Sequence, residues 1–275
     1  MIIANKYKLI EKIDSGSFGK IYKAQNIRSD EYVAVKIENV LTEIKLLKNE
    51  TRIYHYLNGC IGIPNVKWFG LYGKNHFMVI KLLGSSLEEL KKQEELNKFS
   101  LNLVINIGMQ IVKLLEIIHN NCIIHRDIKP ANFLMGLDSE NTQIYVIDFG
   151  FGKRFVTEKN THIDIKQTSR LIGTPNFASM NSHNLIELSR RDDLESLAYT
   201  LLYLHYGTLL WDRSKITHDQ IYKEKVSLYN SVISSNVSEN ILFDYLKYTV
   251  ELKFDEKPDY KGIINMFAEN KCISL

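Results

Sequence analysis

The chain has 275 residues, of which 45% are apolar and 24% are charged, a balance that is ordinary for a globular protein with a large core. A net charge of +3 is too small to indicate nucleic-acid binding by itself, so no direct nucleic-acid partner is predicted. No uninterrupted apolar run has membrane-spanning length, and residues 1–6 lack the pattern of a secretory signal. Cys60, Cys122 and Cys272 are isolated, without metal-ligand spacing. We therefore expect an intracellular protein with no membrane contact.

The first elements are predicted to be strands around a glycine-containing turn. Residues 7–13 read as a strand that runs into Gly16-Ser17-Phe18-Gly19, for which a plain hairpin turn is the simplest interpretation. Residues 31–38 read as a second strand whose apolar residues alternate. Because side chains alternate between faces, Ala34 and Lys36 are predicted to share the face opposite that apolar set. The apolar neighbours of Lys36 favour a buried strand over a solvated surface lysine.

A helix is predicted next, because apolar residues recur with a helical period. Its inward stripe consists of Ile44, Leu47, Thr51, Tyr54 and Leu57. Glu50 lies at the edge of this stripe, where a carboxylate needs a partner, and Lys36 is the obvious candidate. The alternative is a peripheral glutamate on a charged helix. The helical pattern alone leaves both interpretations open.

Further along the chain, Ser100 is predicted to cap a long amphipathic helix that ends at Asn120-Asn121. A short apolar strand then leads into His125-Arg126-Asp127-Ile128-Lys129-Pro130-Ala131-Asn132. Residues 143–147 read as a strand that delivers Asp148-Phe149-Gly150. Taken alone, the first motif could be a loop held by an ion pair and the second a tight turn.

These two motifs, in this order, resemble the catalytic loop and metal-binding segment of protein kinases. Phosphoryl transfer needs a group that accepts the hydroxyl proton, cations for the phosphates and oxygen ligands for Mg²⁺. Asp127 is predicted to be the base and Lys129 to neutralise the transferring phosphoryl group. Asn132 and Asp148 are predicted to hold Mg²⁺. The resemblance also favours a Lys36–Glu50 ion pair over a peripheral glutamate, and these two residues complete the predicted catalytic set.

The kinase resemblance also implies an ATP site. The glycine turn resembles the phosphate-covering loop, Ala34 lies over the adenine, Ile80 lies at the back of the pocket, and the backbones of Lys81 and Leu83 pair with the base. Because only its backbone is used, the side chain of Lys81 is expected to matter little. The predicted nucleotide-binding residues are Ile13, Gly16, Ser17, Gly19, Ile21, Ala34, Lys36, Ile80, Lys81, Leu83, Leu134 and Ile147.

The same resemblance implies an α+β, two-lobed protein kinase fold over residues 1–275, as a single domain. We predict a small β-rich N-lobe with one main helix over about residues 1–82 and a hinge at about 81–85. A larger, mainly helical C-lobe is predicted over about residues 86–275.

Two later segments identify a branch of the kinases. Gly173-Thr174-Pro175-Asn176-Phe177-Ala178-Ser179-Met180-Asn181 stands where most kinases show Ala-Pro-Glu, and Ser189-Arg190-Arg191-Asp192-Asp193-Leu194-Glu195-Ser196-Leu197 follows it. Both resemble the casein kinase 1 family of serine/threonine protein kinases, as do residues 82–88, 132–137 and 254–260. The resemblance implies substrates with acidic or phosphorylated residues before the acceptor Ser or Thr, a monomer, and a location in cytoplasm or nucleus. It also implies that Asp193 hydrogen-bonds the catalytic-loop backbone.

Three departures from the expected pattern bear on nucleotide and substrate binding. Asp14 replaces the first glycine of the glycine-rich loop, which predicts a weaker nucleotide affinity than glycine would give. Lys166 stands where the family has an arginine of its anion site, and lysine loses bidentate geometry. Residues 217–220 replace a basic run and are nearly uncharged. Arg170 or Arg213 could compensate, and we predict a weaker preference for phosphorylated substrates.

Two other classes of function remain as alternatives. A weakly active or inactive kinase-fold scaffold is suggested only by Asp14 and the short chain. A small-molecule phosphotransferase would use the same Asp and Asn side chains for base and metal binding. This class of enzyme would not account for the segments 173–181 and 189–197.

Overall fold

The computed structural model describes residues 1–16, 19–42, 45–234 and 240–271. The chain forms two compact units, the first made of Met1–Ser85 and Leu134–Gly152 and the second of Ser86–Phe133 and Lys153–Leu275. Each predicted lobe is one continuous range of residues, whereas the first unit also includes the later segment 134–152. The lobe boundaries at about residues 82–86 therefore stay a prediction. The α+β class is confirmed: the first unit is rich in strands, and the second is mainly helical.

An antiparallel sheet forms most of the first unit. Its strands are β1 (Ile2–Ile3), β2 (Tyr7–Gly16), β3 (Gly19–Asn26), β4 (Tyr32–Asn39), β5 (Val66–Tyr72) and β6 (Asn75–Lys81). Their order in the sheet is β1-β2-β3-β4-β6-β5, so β4 lies in the interior of the sheet. The smaller pair β8 (Phe133–Met135) and β9 (Ile144–Val146) forms a separate two-stranded sheet.

The predicted alternation of β4 is confirmed. Val33 and Val35 are fully buried, and they pack in one cluster with Ala24, Phe77 and Val79. Because side chains alternate along a strand, Lys36 emerges on the other face of the sheet. Burial on one face thus fixes the direction in which this lysine points.

Helix α1 (Leu47–Tyr56) packs against β5, β6 and the 3-10 turn Phe149–Phe151. Its predicted inward stripe is buried at Leu47, Thr51, Tyr54 and Leu57. Ile44, the first member of that stripe, lies outside the described residues. The helix is therefore held by the periodic apolar face that the sequence predicts.

The second unit consists mainly of helices. They are α2 (Leu87–Gln93), α3 (Leu101–Asn120), α4 (Met180–His183), α5 (Arg190–Tyr206), α6 (His218–Ser234), α7 (Ile241–Glu251) and α8 (Tyr260–Glu269). The short strands β7 (Ile123–Ile124) and β10 (Lys153–Arg154) pair antiparallel. Helix α5 packs on α3 and α7, and α3 packs on α8.

Helix α3 begins and ends as predicted. Ser100 caps it by accepting a hydrogen bond from the Leu103 N–H at 3.3 Å. Among the described residues, α3 is the one helix long and apolar enough to cross a membrane by length and composition. Its apolar positions pack against α5 and α8, which is how the central helix of a globular unit is used.

Candidate active site

In the first unit, Lys36 is held between two carboxylates. Its Nζ donates to Glu50 Oε2 at 2.7 Å and to Asp148 Oδ1 at 2.8 Å. The side chains of Lys36 and Glu50 are 11% and 2% exposed, so these contacts are shielded from water, and that of Asp148 is 24% exposed. The predicted Lys36–Glu50 pair is present, and Asp148 joins it.

The charges of this cluster shift the pKa values of its members. Burial alone would lower the pKa of Lys36, but attraction to Glu50 and Asp148 outweighs it, so the pKa of Lys36 lies above its ordinary value. Burial raises the pKa of Glu50 to about 7, against the opposing attraction of Lys36 and with a further increase from the negative charge of Asp148. Two carboxylates compete for one ammonium, and the more buried of them is the harder to ionise.

Helix α1 also fixes the segment that carries Asp148. The Asp148 N–H donates to the Tyr54 hydroxyl at 3.2 Å, and the Phe149 ring meets the Tyr54 ring edge to face with centroids 5.1 Å apart. Asn49 Nδ2 donates to the carbonyls of Gly150 and Gly152 at 3.2 and 3.0 Å. The sequence did not reveal these roles of Asn49 and Tyr54, since only the buried position of Tyr54 follows from periodicity.

The start of α1 is fixed from β4. Glu38 Oε1 accepts the N–H groups of Leu46 and Leu47 at 2.8 and 3.0 Å, which satisfies two donors that the first turn of a helix leaves unpaired. Glu38 therefore connects the strand that carries Lys36 to the helix that carries Glu50. Sequence reasoning missed this residue, although a glutamate at the end of an apolar strand was a visible signal.

The glycine turn joins β2 and β3, with Gly16 opposite Gly19. Gly19 has φ +145°, and a Cβ there would come within 2.4 Å of the Ile37 carbonyl oxygen, so the position requires glycine. Asp14 is exposed and stands opposite Ile21. Ser17 lies outside the described residues.

The other predicted nucleotide-binding residues also belong to the first unit. Ala34 pairs with Ile80 across β4 and β6. The hinge is hydrogen-bonded to β8 through Gly84 N–H to Met135 O at 2.8 Å. Leu83, Leu134, Ile147 and the exposed Ile13 lie in the same unit.

The side chain of Lys81 makes contacts of its own, apart from the backbone groups that are predicted to pair with the base. Its Nζ contacts Glu140 and lies 3.2 Å from the Tyr145 hydroxyl. These residues line a cavity of about 500 Å³ together with residues of the segment 59–65. The cavity shares only Lys81 with the predicted nucleotide-binding set.

In the second unit, three side chains meet around Asp127. Lys129 Nζ donates to Asp127 Oδ2 at 2.8 Å and to Thr174 Oγ1 at 2.9 Å. Thr174 donates to Asp127 Oδ1 from its N–H at 2.8 Å and from its hydroxyl at 2.7 Å. Asn132 Nδ2 donates to the Asp127 carbonyl at 2.8 Å. Thr174 belongs to a motif that the sequence reveals, but its contact with Asp127 was not predicted.

The catalytic loop is anchored on the start of α5, as predicted. Asp193 accepts the N–H groups of His125 and Arg126 at 2.7 and 2.8 Å, and His119 Nε2 lies 3.0 Å from the same carboxylate. Burial opposes ionisation of Asp193, but these hydrogen bonds and the contact with His119 outweigh it and lower its pKa. A buried, ionised carboxylate thus fixes the backbone just before Asp127.

Two of the predicted anion-site residues, Lys166 and Arg213, lie close to carboxylates of the protein itself. Glu187 is buried, and its carboxylate lies 2.8 Å from Lys153, 3.8 Å from Lys166 and 4.0 Å from Arg126. Arg213 forms an ion pair with Glu224. Arg170 is exposed.

The predicted metal ligands suit a hard cation. The amide nitrogen of Asn132 is committed to the Asp127 carbonyl, which leaves its amide oxygen as the ligand atom. Asp148 offers a partly exposed carboxylate. Within the described ranges no group of three His, Cys, Asp or Glu side chains forms a closed metal site. Single oxygen donors fit Mg²⁺, which keeps waters and phosphate oxygens as further ligands.

The protein kinase domain family model matches residues 7–264. The chain therefore belongs to the protein kinases and has their two-lobed α+β fold. This membership makes it an ATP-dependent phosphotransferase that acts on protein substrates.

Proposed function

We propose that this protein kinase is a serine/threonine kinase similar to the casein kinase 1 family, and that it uses Mg²⁺. The observation that carries the proposal is the cluster of Lys129 and Thr174 on the Asp127 carboxylate, with Thr174 inside the family-like segment 173–181. A location in cytoplasm or nucleus and a monomeric state are part of the same proposal.

The residues of the chain divide the work of transfer. Asp127 accepts the proton of the substrate hydroxyl, and Lys129 neutralises charge on the transferring phosphoryl group. Lys36, oriented by Glu50, binds ATP phosphate oxygens. Asp148 and Asn132 would each supply an oxygen ligand to a Mg²⁺ ion, and the bound metal would neutralise phosphate charge.

We propose acidic or phosphorylated substrates with only a modest preference for the phosphorylated form. Lys166 has Glu187 at 3.8 Å and Arg213 is paired with Glu224, so a substrate phosphate would compete with carboxylates of the chain. Residues 217–220 contain neither Lys nor Arg. Thr217 and Gln220 instead cap the start of α6, through Thr217 N–H to Gln220 Oε1 at 2.8 Å and Gln220 N–H to Thr217 Oγ1 at 3.2 Å. Arg170 remains the exposed candidate.

The test is transfer from Mg-ATP to acidic peptides that carry Ser, Thr or Tyr as acceptor, each with and without an upstream phosphoserine. We expect transfer to Ser and Thr, loss of transfer in Asp148→Asn, and a small rate ratio between phosphorylated and unphosphorylated peptides. Transfer to Tyr alone would reject the serine/threonine assignment. No transfer by the wild type, despite ATP binding, would favour a scaffold.

A further inference from the structure

Lys225 lies in the middle of α6, and its side chain is completely buried. Its Nζ donates to the carbonyl of Pro175 at 2.9 Å and to that of Ala178 at 2.5 Å. The ammonium lies over the rings of Tyr199 and Trp211, at 4.6 and 5.2 Å from their centroids. Lys225 in α6 therefore hydrogen-bonds two backbone carbonyls of a loop that is distant in the sequence.

The loop that Lys225 contacts is residues 174–178. Trp211 Nε1 donates to the carbonyl of Asn176 at 2.9 Å. Three carbonyls of the loop therefore accept hydrogen bonds from the side chains of Lys225 and Trp211. Two donors, the ammonium of Lys225 and the indole of Trp211, therefore fix the buried side of this short segment.

The first residue of the loop makes the contact with the predicted base. Thr174 donates twice to Asp127 Oδ1 and accepts from Lys129. Just before it, Gly173 has φ +94°, and a Cβ there would come within 2.7 Å of the Arg126 carbonyl. The loop is therefore held against the catalytic loop on one side and on Lys225 on the other.

An apolar side chain would fill the Lys225 site without the cost of burying an amine. Burial lowers the pKa of Lys225 to about 7, against the opposing attraction of Glu195. A neutral amine keeps two N–H donors, as many as the carbonyls of Pro175 and Ala178 require. The contact is thus satisfied in either charge state, which argues that hydrogen bonding to the loop is what the lysine provides.

We propose that Lys225 is a positioning residue for phosphoryl transfer, which holds the loop 174–178 so that Thr174 stays bonded to Asp127 and Lys129. The inference rests on the proposed function. It predicts that Lys225 acts through Thr174, which a lysine that only stabilises the core would not do.

A double-mutant cycle separates these two roles. Lys225→Met keeps a long unbranched side chain and removes its N–H donors, while Thr174→Val removes the hydroxyl. We expect Lys225→Met to lower kcat about tenfold or more with the KM for ATP unchanged, and the double variant to be no slower than the slower single variant. Additive losses, or an unchanged kcat, would overturn the proposal.

The control is Thr249→Val. Thr249 is another buried polar residue of the same unit, and its hydroxyl donates to the Leu246 carbonyl within α7 at 2.8 Å. It is expected to leave kcat close to that of the wild type and to combine additively with Thr174→Val. If Lys225→Met does not fold, Lys225→Gln, which keeps a shorter donor, takes its place in the cycle.

Hydrogen exchange gives a readout that does not depend on activity. Lys225→Met is expected to speed exchange of the Thr174, Phe177 and Ala178 amides more than Thr249→Val does. If the wild type transfers no phosphate, the proposed function fails, while exchange still tests the hold on the loop. Unchanged exchange at these amides would reject the role of Lys225.

Discussion

At the scale of single residues, the Thr174 hydroxyl stands out because it lies between the predicted base and Lys129. It donates to Asp127 Oδ1 at 2.7 Å and accepts from Lys129 Nζ at 2.9 Å. A hydrogen bond to a charged group contributes roughly 1.5–3 kcal/mol, so Thr174→Val is expected to lower kcat by about 10- to 100-fold. Thr174→Ser keeps the hydroxyl and should stay within a few-fold of the wild type, as steady-state kinetics will show. Equal losses in the two variants would show that keeping the hydroxyl does not preserve activity, and the predicted role of its hydrogen bonds would be wrong.

Glu50 gives the pH dependence of the Lys36 cluster. Its pKa is raised to about 7, so as the pH falls through that value the carboxylate takes up a proton and Lys36 loses one of its two partners. We predict that kcat/KM for ATP falls below about pH 7 and that this fall disappears in Glu50→Gln, which cannot titrate. The measurement is the pH profile of both proteins.

Stability should move with pH in the opposite sense. Because the native Glu50 pKa lies above that of an ordinary carboxyl, the folded state binds this proton more tightly than the unfolded state. The resulting contribution is present at low pH and is lost as the pH rises through about 7. Relative to Glu50→Gln, the wild type is therefore expected to gain unfolding temperature on acidification across this window. A constant difference between the two would contradict the raised pKa.

At the scale of elements, Glu38 couples strand β4 to helix α1. Its Oε1 accepts two N–H groups at the start of the helix, and within the described part of the chain its Oε2 has no hydrogen-bond partner. Glu38→Ala should cost about 1.5–3 kcal/mol of stability and raise the KM for ATP, because α1 carries Glu50. Glu38→Gln keeps the accepting oxygen and should cost clearly less. Urea unfolding and steady-state kinetics of both variants provide the test.

The elements also show what the sequence could predict. The direction of Lys36 and the position of Glu50 at the edge of a buried stripe follow from the periods of one strand and one helix, which a sequence displays directly. Their pairing was predicted from the resemblance to protein kinases. The contact of Thr174 with Asp127 joins residues 47 positions apart, and that of Lys225 with Pro175 joins residues 50 positions apart. No local period encodes such contacts, because they depend on how loops pack against helices. The motifs therefore indicate which side chains are candidates for the chemistry. The residues that hold those side chains in place were found only in the structure.

At the scale of the whole molecule, the predicted nucleotide-binding residues and the predicted base belong to different compact units. Lys36 and Asp148 lie in the first unit, and Asp127 lies in the second. Nucleotide binding and phosphoryl transfer should therefore be separable by mutation. We predict that Lys36→Met weakens ATP binding at least tenfold, because it removes the ammonium that is proposed to bind the phosphates. Asp127→Asn should bind ATP as the wild type does and lose transfer by roughly 10²-fold or more, as expected for removal of a general base.

Calorimetric titration with Mg-ATP and single-turnover transfer measure the two steps separately. Asn at position 127 keeps one oxygen that can accept from Thr174, so the loop contact should survive and the loss should fall on chemistry. Thermal unfolding of both variants checks that neither effect follows from a damaged fold. If Asp127→Asn weakened ATP binding as much as Lys36→Met does, Asp127 would act through the nucleotide rather than on the substrate hydroxyl, and its assignment as the base would be wrong.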